Sequence, residues 1–137
     1  MKRIFLLILF VIISNNAFAS LEGEVLICNN DKVGYNFISK DKVKISSINL
    51  SELNKFSINH YYKLAENAIF IQQPIAELNK RKKNKPIGWI FRRSLDYVSL
   101  EYVNGDWSRR FLWSCEVTSL NQLEIRLKNK IDKLIKN

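Results

Sequence analysis

From Glu24 onward the chain alternates apolar and polar residues in short segments closed by Asn, Asp, Gly or Pro, the period-2 mark of β-strands. Glu24 to Cys28 is the first segment, and Asn29-Asn30-Asp31 ends it. Gly34 to Ser39 sets Tyr35 and Phe37 on one face, and Lys40-Asp41 turns the chain into Val43 to Ile48. Asn49 to Lys55 is looser and reads as one helical turn. Ile58, His60, Tyr62 and Leu64 share a face of the next segment, and Glu66-Asn67 turns it into Ala68 to Gln72. Pro74 and Pro86 bracket a connection too charged for a core. Ile87, Trp89 and Phe91 group together before Leu95 to Val103, and Asn104-Gly105 is a strong hairpin signal. In the last strand Trp107, Phe111, Trp113, Cys115 and Val117 share a face that Arg109 interrupts.

The period then changes. Ser119, with Gln122 three residues on, has the form of a capping box. Leu120, Leu123, Leu127, Ile131 and Leu134 recur at helical spacing, with Glu124–Lys128 and Asp132–Lys136 as i,i+4 pairs. The expected fold is α+β and mostly β: an antiparallel meander of about seven to eight strands, curved, sandwiched or barrel-like, with one C-terminal amphipathic helix. That helix is expected to cover the sheet, the common fate of such a stripe.

The start of the chain obeys another pattern. Lys2 and Arg3 precede an uninterrupted apolar run from Ile4 to Ile13, and Ala17-Phe18-Ala19 supplies small residues for a cut before Ser20. This is the order of a secretory signal peptide, and ten apolar residues are about half of what spans a bilayer. Residues 1–19 are therefore expected to be removed. One mature domain remains over 20–137, with the sheet in 20–117 and the helix in 118–137. No later segment is apolar enough to span a membrane, so a periplasmic or secreted location follows. Lipid attachment at Cys28 is disfavoured, because Ile27 stands where such signals need a small residue.

Export changes the reading of the two cysteines. An oxidising compartment favours a Cys28–Cys115 disulfide, and one histidine with two distant cysteines leaves zinc short of ligands, so neither metal nor cofactor is expected. Both cysteines fall toward the C-terminal ends of their strands. In a plain up-and-down eight-strand barrel those ends lie at opposite rims, so closure into such a barrel is the less favoured form.

Candidate chemistry is sparse. His60 is the lone histidine, and a secreted ribonuclease would need it beside groups such as Glu101 and Arg92. The full chain carries a net charge of +9, or +7 without Lys2 and Arg3, which predisposes it to anionic lipid, acidic polysaccharide or nucleic acid. The densest basic run is Lys80, Arg81, Lys82, Lys83 and Lys85. Arg92-Arg93 and Arg109-Arg110 interleave with Trp89, Phe91, Tyr97, Tyr102, Trp107 and Trp113, a composition that can stack on and neutralise a polymer. On strands the same pattern arises from aromatics turned inward and arginines outward, which is the favoured reading.

Gly34-Tyr35-Asn36-Phe37, Arg93-Ser94-Leu95, Trp113-Ser114-Cys115 and the Lys-rich helix together resemble a family of small exported two-cysteine proteins from bacteria with AT-rich genomes. The resemblance implies export and a disulfide but no activity. The expected function is a non-catalytic exported or periplasmic protein that binds a small apolar ligand or an anionic surface; the alternative is a small secreted hydrolase such as a ribonuclease using His60.

Overall fold

The alternating segments become eight antiparallel strands: β1 (Val25–Cys28), β2 (Val33–Phe37), β3 (Lys42–Asn49), β4 (Asn54–Leu64), β5 (Ala68–Pro74), β6 (Pro86–Phe91), β7 (Asp96–Val103) and β8 (Asp106–Thr118). One helix, α1 (Leu120–Ile135), follows. The computed structural model describes residues 20–75 and 86–137; the expected signal peptide and the basic run Lys80–Lys85 lie outside them. Each strand pairs with its sequence neighbour, and β1 pairs with β8, so the sheet is a closed barrel.

Closure overturns the argument from the rims, and the reason is strand length. β1 has four residues and β8 thirteen. All of β1 therefore lies along the end of β8, with Val25 opposite Thr118 and Cys28 opposite Cys115. The end of β1 is not at the far rim; it is three residues from where it began. Asn29 N donates to Ser114 O, and Cys115 N donates away from β1 to Leu95 O, so the cysteines occupy a non-hydrogen-bonded pair. Such pairs bring Cα atoms closest, here to 4.1 Å, and the Cys28–Cys115 disulfide joins them.

Eight strands leave a lumen that side chains fill. Leu26, Tyr35, Phe37, Val43, Tyr62, Ile69, Ile71, Ile90 and Tyr97 form this inner core, none of them more than 6% exposed. Burial pushes the Tyr35 hydroxyl well above its ordinary pKa, and the neighbouring Tyr97 adds to the effect. Burial likewise raises Tyr97 to about 12. Tyr97 stacks on Trp113 with ring centres 4.8 Å apart. Gly88 makes room for it, since a Cβ there would fall 2.6 Å from the Tyr97 hydroxyl.

A second core lies outside the barrel, where Leu123 and Leu127 of α1 pack on Val25, Ile27 and Ile48, with Ile131 and Leu134 beside them. Gly34 permits the approach, because a Cβ on it would meet Leu123 Cδ1 at 2.4 Å. Ser119 caps the helix by accepting from Gln122 N at 3.2 Å. The stripe is one residue shorter than its spacing predicts, as Leu120 is 49% exposed. Glu124 pairs with Lys55 of β4 in place of Lys128.

Three local expectations are corrected. Residues 49–55 hold no helical turn: β3 runs to Asn49 and β4 starts at Asn54, with Leu53 at φ 51° between them. A register shift opposite Tyr97 and Val98 adds Leu112 to β8. Residues before it and after it that share a parity in sequence therefore belong to different faces. Trp113 and Cys115 join the inner core, whereas Arg109 lies outside over Trp89. A second shift, between Ile71 and Gln72, lets Ile87 pack on the inner core while Trp89 joins an outer cluster with Ala68 and Val98.

Candidate functional site

His60 points into the barrel from β4, opposite Val43, and is 6% exposed. Its Nδ1 lies 2.8 Å from the Gln72 carbonyl oxygen. A carbonyl only accepts, so Nδ1 carries the proton and donates. The bond falls where β4 and β5 slip register, between His60 and Tyr62. The imidazole thus ties an irregular pairing whose ladder bonds are interrupted.

The trio His60, Glu101 and Arg92 is not assembled. His60 pairs with Pro74 at one end of β5, while Arg92 N donates to Asn67 O just beyond the other end. Seven residues of strand separate those points, on the order of 20 Å. Arg92 Nη1 also donates to Ala65 O at 3.2 Å. Glu101 sits across from Arg110 Nη1 at 3.5 Å. Among the described residues no group of three or more His, Cys, Asp and Glu could hold a metal ion.

Of the aromatic residues that interleave with arginine in sequence, Trp89, Phe91, Tyr97 and Trp113 divide between the two faces, and the side chains of Tyr102 and Trp107 lie outside the described ones. Tyr97 and Trp113 are interior. Outside, Phe70 of β5 lies 6.0 Å from Trp89 of β6, and Trp89 meets Phe91 edge to face at 6.2 Å. The Arg109 guanidinium stands 5.2 Å from the Trp89 ring, a cation–π contact. Lys63 is the cross-strand partner of Phe70. On β3, Lys42 lies 5.9 Å over Tyr61, and Lys42 and Lys44 are exposed. An aromatic row on β5 and β6 is therefore flanked by lysines on one side and an arginine on the other.

Two recesses open at the rim formed by the N-terminal segment and the β4–β5 and β6–β7 turns. One, of about 290 Å³, is lined by Leu26, Phe37, Ile69, Leu95 and Val117 together with Ser20, Leu21, Glu24 and Arg92. The other, of about 410 Å³, is lined by Leu64, Ala65, Glu66 and Arg92. Arg92 belongs to both and stands at their junction. At the seam, Arg126 of α1 reaches Asp31 Oδ1 at 2.6 Å and also pairs with Glu116. Both carboxylates favour its charged form. Asp31 ends a run of three left-handed residues, Asn29, Asn30 and Asp31, at φ 54°, 52° and 67°. Asn and Asp tolerate that region better than other non-glycine residues.

Sequence reading missed the rim recess because its lining comes from residues as far apart as Ser20 and Val117. Comparison with known protein families, with curated proteins and with solved structures gave no match.

Proposed function

We propose that the mature domain is an exported, non-catalytic protein that binds an anionic surface through the outside of its barrel. The observation that carries this is the division between a lumen filled with side chains and an exterior on which Lys63 lies across from Phe70 and Arg109 over Trp89, with Lys42 and Lys44 exposed on β3 two strands from Phe70. Four of the acids are engaged with other cations: Asp31 and Glu116 with Arg126, Glu124 with Lys55, and Glu101 with Arg110. Cations with aromatic neighbours suit phosphate- or carboxylate-bearing surfaces, in which charge supplies attraction and the rings add contact area. The disulfide suits an oxidising compartment. Among the described residues no helix is long and apolar enough to cross a membrane.

The test is co-sedimentation of the mature protein with phosphatidylglycerol vesicles, beside retention on immobilised acidic polysaccharide, at low and high salt. Binding should fall steeply with salt and vanish in a Lys42→Gln, Lys44→Gln, Lys63→Gln, Arg109→Gln variant. No binding at low salt, or full binding by that variant, overturns the proposal. RNA hydrolysis that disappears in His60→Gln would overturn its non-catalytic part.

A further inference from the structure

The side chains that fill the lumen stop short of one rim, the rim at which β3 turns into β4 and β7 into β8. Lys55 of β4 pairs with Glu124 of α1 on the outside. Phe56 and Ile58, which alternate with the outer face, therefore point inward in phase with His60. Their partners on β3 agree, since Ile45, opposite Ile58, packs on the inner core, while Ile48 packs outside beneath α1. Tyr62 and His60 are 2% and 6% exposed, but Ile58 and Phe56, nearer the rim, are 41% and 44% exposed. Two large apolar side chains line the inside of the barrel and still meet solvent, so this end of the lumen is open.

The facing wall supplies a polar group. Around the closed ring β7 and β8 stand three and four strands from β4, across the lumen. On β7 Tyr97 belongs to the inner core while Val98 and Leu100 belong to an outer cluster, so Ser99 and Glu101 face inward. Ser99 lies four residues in from Val103, the end of β7 at this rim, as Ile58 does from Asn54 of β4. The two residues therefore sit at matching depth. Ser99 is 8% exposed, and its hydroxyl oxygen has no hydrogen-bond partner. Buried polar groups are nearly always satisfied, so an orphaned hydroxyl on the wall of an open lumen is a point at which a ligand atom can supply the missing bond. The group beside it is a flexible one: its cross-strand partner Arg110 is mostly exposed and pairs with Glu101 at 3.5 Å.

These features select the ligand. An eight-stranded lumen holds one small molecule and is too narrow for a folded partner. Glu101 and Arg110 engage each other, and a lone hydroxyl cannot repay the burial of an ion, whereas it can both donate to and accept from a neutral group. We infer that this end of the lumen binds one small uncharged amphiphile, its apolar part on Phe56 and Ile58 and its hydroxyl or carbonyl on Ser99 Oγ. The inference makes no use of the outer cations on which the proposed function rests.

The experiment is titration of the mature protein with octan-1-ol, octanoate and octyltrimethylammonium, followed by backbone amide shifts. Octan-1-ol should saturate one site and move the amides of Ile58 and Ser99, and the two ions should bind at least tenfold more weakly. Ser99→Ala removes an orphaned group, so it should leave the melting temperature unchanged or raised while weakening octan-1-ol about two- to tenfold. Ile58→Trp should plug the mouth and abolish binding. Phe56→Ala, at a half-exposed position, carries the same test with less risk to folding and should weaken all three probes. Lys63→Gln with Arg109→Gln should leave octan-1-ol binding intact; a loss there would move the ligand to the outer face and overturn the inference. Absence of saturable binding, equal affinity for the three probes, or affinity unaltered by Ser99→Ala or by Phe56→Ala also overturns it. So does a dimer whose formation excludes octan-1-ol, since a second copy would then occupy the mouth.

Discussion

The β3–β4 hairpin and the β1–β8 seam are both antiparallel ladders, yet they are built in opposite ways. The hairpin joins eight residue pairs through a short turn, from Lys42–Tyr61 to Asn49–Asn54. The seam joins four pairs whose cysteines are 87 residues apart. Closing a short loop costs little entropy, so the hairpin forms from proximity, and α1 adds only its contact with Ile48 and the Lys55–Glu124 pair. The seam gains few ladder bonds for a long closure, and three further devices sit on it. They are the disulfide, the Leu123–Leu127 contact of α1 with Val25 and Ile27, and Arg126 clamped between Asp31 and Glu116. Reinforcement gathers where chain connectivity gives least help.

Removing the bridge should separate the two regions most. A loop of this length is worth about 4–5 kcal/mol in chain entropy and typically about 2–5 kcal/mol when measured. Cys115→Ser should therefore lose stability within that range in denaturant titration. Amide exchange should rise at Val25–Cys28 while the β3–β4 amides stay protected; equal loss in both places would contradict the contrast. Next, Leu127→Ala empties a fully buried position, for which about 2–4 kcal/mol is expected. An unchanged melting temperature would mean that α1 does not hold the seam.

Alkaline pH should loosen the whole interior and not the seam alone. Tyr35 and Tyr97 have folded-state pKa values raised above the unfolded value, Tyr97 to about 12. Their neutral rings contribute stability that is complete below pH about 10 and is lost as pH rises toward 12. For Tyr97 alone this is about 2–3 kcal/mol. Tyrosinate absorbance should lag behind that of free tyrosine and then appear together with unfolding. At the β7–β8 turn, Gly105 adopts φ 87°, and Gly105→Ala should cost about 1–2 kcal/mol, felt in that hairpin first. Smallest of all, Arg126→Gln should cost up to about 1 kcal/mol, since its pairs are only partly buried. That loss should shrink in high salt.

Much of this architecture was legible because it is written in local signals. Asn104-Gly105 specified its turn, Ser119 its cap, and alternation most of the strands. The shared face of His60, Tyr62 and Leu64 followed from spacing alone, whereas Ile58, grouped with them, is 41% exposed. What escaped depends on register. The extra residue Leu112 in β8 and the slip at Ile71 and Gln72 exchange inner and outer faces, and neither leaves a mark in composition. Trp89 consequently lies outside the barrel and Ile90 inside, the reverse of what Ile87, Trp89 and Phe91 suggest as a group. The cysteine pairing was readable from compartment, but the closed barrel was not, since it turns on β1 being four residues long. His60 as a candidate for chemistry was visible; its bond to Gln72 O was not.

The bridge also governs how this chain responds to being pulled. Export machinery and processive proteases draw proteins through narrow channels from an end. With Cys28 joined to Cys115, a pull on either terminus meets a covalent stop, and the 87 residue steps between them, roughly 300 Å of extended chain, stay out of reach of the force. Only residues outside the Cys28–Cys115 loop can be drawn out, and a pore that admits no more than a single strand will jam at a doubled one. The oxidised barrel is thus a one-way object. It can be threaded before the sulfurs meet, and afterwards it yields to reduction or to cleavage of its loops but not to traction.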